Sequence, residues 1–140
     1  MAESSASEPT KILIVDDDSS VRDVIAVLLG EEGYSCQAVS SAEAALDAAR
    51  QADFPLVISD VRMPGKDGFQ TCRELRAIHG FESLPVLMLT GLDDDASITR
   101  AYEAGATDFF VKSTQWSLLG GRLRYLLRSA RTRLELERSK

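Results

Sequence analysis

Leu56-Val57-Ile58-Ser59-Asp60-Val61-Arg62-Met63-Pro64-Gly65-Lys66-Asp67-Gly68 is the stretch on which the fold turns. Its aliphatic start, bounded by Pro55 and by the Pro64-Gly65 pair, has the length and β-branched content of a buried strand. Asp60 then falls at the strand's C-terminal end, the edge where an open α/β sheet binds its ligands. A buried carboxylate is costly without partners, so Asp60 either caps the next turn or is a reactive group whose neighbours come from elsewhere in the chain.

Working outward, the same unit recurs. Ile12-Leu13-Ile14-Val15 is an unbroken aliphatic run that ends in Asp16-Asp17-Asp18, as expected of a strand covered on both faces of a parallel sheet. Val21, Val24, Ile25, Leu28 and Leu29 follow at helical spacing, with Asp18, Ser19 or Ser20 available as N-cap and Gly33 as the stop. Residues 34–39 read as a weaker strand and 41–50 as an Ala-rich helix. After the third strand, 55–60, a helix is expected over 67–78, with Phe69, Cys72, Leu75 and Ile78 inward. Residues 85–90 and 107–112 read as strands four and five, 93–104 as the helix between them, and the last helix starts near Thr114. Five strand-helix units with short connections force parallel pairing and right-handed crossovers. The prediction is one α/β domain with a single doubly wound five-stranded parallel sheet and helices on both faces.

Composition supports one folded domain. The chain has 140 residues, 44% hydrophobic and 27% charged, enough for one sizeable core and too few for two ordinary ones. Residues 1–10 are small, polar and aperiodic, and read as a flexible lead-in to a domain over 11–130, with 131–140 as a helical extension or connector. No run approaches the roughly 20 apolar residues of a bilayer span, and the N-terminus lacks a signal-peptide pattern, so the expectation is a cytoplasmic protein without a membrane partner. Cys36 and Cys72 have no ligand-spaced companions and read as free thiols. Residues 1–111 carry a net −12 and residues 112–140 a net +6. An acidic body disfavours nucleic acid and suits a site that gathers carboxylates around a cation.

In a parallel sheet the C-terminal ends of strands one, three, four and five emerge on one edge, bringing Asp16-Asp17, Asp60, Thr90 and Lys112 together. Taken singly, Asp16-Asp17-Asp18 fits a helix cap as well as a metal site, and Lys112 fits a solvated charge. Converging carboxylates repel, and a hard cation relieves them, Mg²⁺ being suited to oxygen ligands. Carboxylates, one metal, a Lys and a hydroxyl suit phosphoryl transfer, with an acyl phosphate formed on a carboxylate. Asp93-Asp94-Asp95 reads as a capped first turn, and His79, the single histidine, has no catalytic reading.

The chain resembles the receiver domain of two-component response regulators over about residues 10–130. The matching pieces are Ile14-Val15-Asp16-Asp17 with Arg22, Asp60 with Met63-Pro64 and Asp67-Gly68, Thr90-Gly91, and Lys112 after Phe109-Phe110-Val111. The resemblance implies a flavodoxin-like (βα)5 receiver fold in which Asp60 is the phosphoacceptor. It implies that Asp16, Asp17, Asp60 and the backbone carbonyl of Arg62 hold Mg²⁺, that Thr90 and Lys112 meet the phosphoryl oxygens, and that Phe109 is the aromatic switch. A Pro commonly follows the lysine in this family, joined by a cis bond, whereas Ser113 follows Lys112 here. Arg62 and Leu92 fall two residues after Asp60 and Thr90, and shielding of the acyl phosphate by them implies slow self-dephosphorylation. The expected phosphodonor is a histidine kinase or a phosphotransfer protein. The expected response is a change in the face formed by the fourth helix, fifth strand and fifth helix, controlling self-association or an output domain.

Trp116, Leu119, Leu123, Leu126 and Ala130 step by three and four, and the pattern continues through Leu134 and Leu136. Part of this seam reads as the last helix packing on the sheet and the overrun as a connector, and the helix is similar to the last helix of receivers linked to cyclic-di-GMP turnover, so such an output is expected. A homodimer through the fourth helix, fifth strand and fifth helix or through this helix is also expected, and no direct nucleic-acid contact, because the chain lacks a DNA-binding motif and the arginines are spread around the helix. Two other readings are an adaptor that is never phosphorylated and a phosphatase of the haloacid dehalogenase type, with Asp16 as nucleophile and Asp18 as acid. Against the phosphatase, only Glu135 and Glu137 follow Lys112 as further carboxylates.

Overall fold

A computed structural model describes residues 9–63, 65–78, 80–91, 95–112 and 116–138. In chain order it contains β1 (Lys11–Val15), α1 (Ser19–Glu31), β2 (Ser35–Val39), α2 (Ala42–Gln51), β3 (Val57–Asp60), α3 (Gly68–Arg76), β4 (Val86–Thr90), α4 (Asp95–Glu103), β5 (Asp108–Val111), a 3₁₀ turn (Trp116–Leu118) and α5 (Leu119–Arg138). The strands form one parallel sheet in the order β2-β1-β3-β4-β5. Strand-helix alternation in the sequence has become the expected doubly wound sheet.

Successive side chains of a strand point to opposite faces, so each aliphatic run feeds two cores. Leu13, Val15, Val57, Val86 and Met88 pack on one face against Ala45, Leu46, Phe69, Cys72, Leu75 and Ala101, from α2, α3 and α4. Ile12, Ile14, Ile58, Leu87 and Leu89 pack on the other against Ile25 and Leu29 of α1 and Leu119, Leu123 and Leu126 of α5. Fully burying each such side chain contributes about 1.5–3 kcal/mol, so the two layers supply most of the stabilisation.

Side-chain caps fix where the helices begin. The Asp18 carboxylate accepts from the amides of Ser20 and Val21, Ser41 from Ala44, and Asp67 from Gln70. Each satisfies amides that have no partner inside the helix. Gly33, with φ +95°, turns the chain out of α1 in a conformation that side chains other than glycine resist. Cys36 and Cys72 are free thiols, and burial raises both above the ordinary range.

The last helix departs from expectation in detail. Its inward seam is buried, yet a 3₁₀ turn holds Trp116 against the Phe110 ring, with centroids 5.8 Å apart, before α5 begins at Leu119. Leu119, Leu123 and Leu126 are core of this domain, the part of the seam expected to pack on the sheet. α5 then continues unbroken past residue 130 to Arg138, for about 30 Å in all at 1.5 Å per residue. The basic tail is partly paired internally: Arg122 meets Asp108 at 2.8 Å, and Arg124 meets Glu32 of the α1–β2 turn. The peptide bonds among the described residues are all trans. The Lys112-Ser113 bond, Leu92, Asp93-Asp94, His79 and the expected helix start at Thr114 lie outside the described residues.

If the seam of α5 is core, its residues are unequal. Leu123→Ala is expected to lower the unfolding free energy by about 2–5 kcal/mol, whereas Leu136→Ala, at a side chain that is 60% exposed, should change it by less than about 0.5 kcal/mol. Equal shifts in urea denaturation would refute this division.

Candidate phosphoryl-acceptor site

Strand register places the site. Val15 pairs with Ser59, Asp60 with Leu89, and Thr90 with Val111. The residues just beyond these pairs therefore leave the sheet at one edge, where Asp16, Asp17, Asp60, Thr90 and Lys112 gather. Asp16 is fully buried, Asp60 and Thr90 are nearly so, and Asp17 is exposed. The sequence reading placed all five at this edge, and one strand-end rule suffices to bring them there.

Local hydrogen bonds hold each acid. The Asp16 amide donates to the Val39 carbonyl at 3.1 Å, continuing the β1–β2 ladder past the strand end. Asp16 Oδ1 accepts from the Asp18 amide at 2.9 Å, and Arg22 Nη1 donates to the Asp16 carbonyl at 2.6 Å. Beyond Asp60, the Val61 amide donates to Leu89 and the Gly68 amide to the Val61 carbonyl, folding the β3–α3 loop back on the strand. A Cβ on Gly68 would overlap the Asp60 carbonyl oxygen, so only glycine permits this approach of α3 to the acid. Lys66 ties the same loop to Glu43 at 3.2 Å and Glu74 at 2.9 Å.

Lys112 closes the site. Its amide donates to the Thr90 carbonyl at 2.7 Å, and its Nζ lies 3.1 Å from both Asp16 Oδ2 and Asp60 Oδ1. Burial pushes the Asp60 carboxyl above the usual carboxylate range and the Asp16 charge adds to this. Lys112 and a main-chain hydrogen bond from Arg62 pull it back only in part. Burial alone would lower Lys112, but attraction to the Asp60 and Asp16 carboxylates outweighs it and raises the ammonium.

Carboxylate oxygens of Asp16, Asp17 and Asp60 lie within 4.8 Å of one another. Asp16 Oδ2 is buried and lacks a hydrogen-bond partner, because the Lys112 ammonium meets its charge without suitable hydrogen-bond geometry. Three hard oxygen donors, one of them buried with its hydrogen-bonding capacity unmet, fit a small divalent cation. A cleft of about 550 Å³ opens beside the acids, lined among others by Asp17, Arg62, Met63, Phe69, Ser97 and Arg100. Arg62 is exposed there, and the Arg100 guanidinium stacks 4.3 Å from the Phe69 ring centroid.

Phe109 is half-buried, its ring edge-on to Tyr102 at 6.0 Å between centroids. Sequence reading missed Lys66, Arg76 and Arg100. Each works through a partner distant in the chain, and an isolated surface-type cation gives no local signal of that. The phosphatase alternative finds no support here: the Asp18 carboxylate it needs as an acid caps α1.

The model of the response regulator receiver domain matches residues 12–124. A relative in Streptomyces coelicolor, the transcriptional regulatory protein AfsQ1, is 33% identical over 84% of this chain and 51% of its own length. The DNA-binding response regulator MtrA of Mycobacterium tuberculosis is 35% identical over 84% of this chain and 50% of its own. The chain thus spans about half the length of these curated relatives. Among solved structures, the Vibrio cholerae chemotaxis protein CheY4 is 30% identical with a TM-score of 0.81, covering 85% of this chain and 99% of that one. NtrX of Brucella abortus is 27% identical with a TM-score of 0.87, covering 95% of this chain and 30% of that one.

These relatives correct two expectations. A cyclic-di-GMP output and the exclusion of nucleic acid do not stand beside relatives named as transcriptional and DNA-binding regulators. The physical reason lies in α5: Leu119, Leu123 and Leu126 are spaced to cover the sheet, so their pattern carries no information about the output. The scattered arginines of that helix bear only on direct contact by this domain. Among the described residues, no helix is long and apolar enough to cross a membrane.

The raised Asp60 carboxyl has a testable sign. The folded chain holds this proton more tightly than the unfolded chain, so the group's contribution is complete below the ordinary value of 3.8 and is lost as pH rises through the higher folded value. In chelator, Asp60→Asn is therefore expected to melt higher than wild type at pH 7, with the difference shrinking toward pH 4. A lower melting point for the variant at pH 7 would contradict this electrostatic picture.

Proposed function

The chain belongs to the response regulator receiver domain family, and from that premise we propose that it is a phosphoacceptor module that takes a phosphoryl group on Asp60. The observation that carries the reading is the Lys112 ammonium, 3.1 Å from two buried carboxylates at the ligand-binding edge of the sheet. In the proposed reaction a carboxylate oxygen of Asp60 forms a bond to phosphorus as the bond from phosphorus to the donor breaks, and the electron pair leaves with the donor. Asp60 must be ionised to attack. Lys112 favours that form against burial and the Asp16 charge.

Asp16, Asp17, Asp60 and the Arg62 carbonyl would hold Mg²⁺, which when bound supplies positive charge for the phosphoryl oxygens. Lys112 turns from bridging two acids toward the phosphoryl group, and the Thr90 hydroxyl donates to it. Arg62, at the lip of the cleft, screens the acyl phosphate from water and lengthens its life.

The response belongs to the α4-β5-α5 face. Loss of the Tyr102–Phe109 edge contact as Phe109 turns inward would change a surface that also carries the Asp108–Arg122 ion pair and exposed Leu118 and Tyr125. That change controls self-association or an output domain. Relatives named as DNA-binding favour an output directed at DNA in a longer protein.

Wild type, Asp60→Asn and Asp16→Asn are to be incubated with acetyl phosphate and Mg²⁺ and weighed intact. The expected result is one added phosphoryl group on the wild type, abolished in Asp60→Asn and by chelator. Asp16→Asn is expected to cut the uptake rate by about tenfold or more through loss of cation charge. Uptake that persists in Asp60→Asn, or steady turnover that depends on Asp16, would overturn the reading.

A further inference from the structure

Arg76, the last residue of α3, lies at the opposite end of the sheet from the acids and takes no part in the chemistry above. Arg76 is half-buried, and its guanidinium bonds to two separate loops, the α3–β4 loop and the α4–β5 turn. Nε and Nη2 donate to the Gly105 carbonyl at 3.1 and 2.6 Å, and Nη2 also donates to Thr107 Oγ1 at 3.3 Å. Nη1 donates to the carbonyls of Phe81, at 3.3 Å, and Leu84. Thr107 in turn locks the lower end of the β4–β5 pair: its Oγ1 accepts from the Val86 amide at 3.0 Å and its amide donates to the Val86 carbonyl at 2.9 Å.

This arrangement matters because of what it leads into. Among the described residues β5 is an edge strand, paired with β4 alone, and it carries Phe109 in the strand and Lys112 just past its end. The helix before it has little grip on the core: around the α4–β5 turn the buried hydrophobic residues are Ala101, Ala104 and Ala106. Alanines provide shallow anchorage for the turn; β5 itself is held by buried Phe110 and its ladder to β4, and polar groups fasten its two ends. The upper fastening is Lys112 with Thr90, Asp16 and Asp60. The lower is Arg76.

We propose that Arg76 is a positioning residue for the phosphoryl-acceptor site, clamping the α4–β5 turn and the start of β5 to α3 and so setting the register from which Lys112 reaches Asp60. The proposal rests on the acceptor reading of Asp60. A planar fork with five N–H donors can serve three carbonyls on two loops at once, whereas a lysine ammonium on a flexible stem cannot span them. Replacement by Lys keeps the charge and loses the clamp.

The test compares wild type, Arg76→Lys, Arg76→Ala and a mildly destabilised core control on the opposite face, Ile25→Val. Two quantities are measured well below all the melting temperatures: amide hydrogen exchange over residues 105–111, and the initial rate of phosphoryl uptake from acetyl phosphate with Mg²⁺. Arg76→Lys is expected to speed exchange in this segment about tenfold and to slow uptake by about fivefold or more, with Ile25→Val like wild type in both. Faster exchange with unchanged uptake would make Arg76 merely structural and overturn the proposal, as would exchange no faster than in the control. If wild type itself takes no phosphoryl group, the acceptor reading fails and the positioning role falls with it. The exchange data would still report whether the clamp exists, so the two failures are distinguishable.

Discussion

The rest of the structure depends on one electrostatic balance, that of a single ammonium against two buried carboxylates. Asp16 and Asp60 are taken out of water at the ends of neighbouring strands, where their repulsion is poorly screened. Lys112 offsets part of that cost from a third strand, and Asp16 Oδ2 keeps an unmet hydrogen-bonding capacity. The site is held short of full compensation, with Asp60 still raised. A resting state built this way responds readily to added positive charge, and the attraction that holds Lys112 to Asp60 weakens once the acid carries another group.

The scaffold makes such a costly cluster tolerable. Two apolar layers, one on each face of the sheet, fix five strand ends to a common edge. The loops at that edge are then pinned individually, by Arg22 on the Asp16 carbonyl, by the close approach of Gly68 to Asp60, and by Lys66 between α2 and α3. Stability comes chiefly from the layers, and precision at the acids from these polar ties. The α4–β5 turn is held less by the layers, since alanines are its buried apolar groups, and Arg76 ties it from below.

Much of this was legible in the residues. Unbroken aliphatic runs such as Ile12–Val15 could only be strands covered on both faces, and Asp18, Ser41 and Asp67 stand where helix caps belong. The acids were legible for a topological reason: parallel strands share an edge, so strand-end residues converge however far apart they lie in the chain. The last helix was harder. Its leucine seam is the same whether it covers a sheet or pairs with another helix, because both uses require a three-four spacing. The output drawn from that seam was accordingly wrong.

By itself the sequence determined the alternation of strands and helices, the parallel sheet and the set of residues at its active edge, because hydrophobic period and strand polarity are properties of the local chain. Only the tertiary structure decided how far each acid is buried, that Lys112 bridges Asp16 and Asp60, and that Arg76 holds three carbonyls on two loops. Burial and long-range hydrogen bonds depend on which distant groups share a space, and no spacing in the chain encodes which carbonyl a guanidinium will meet.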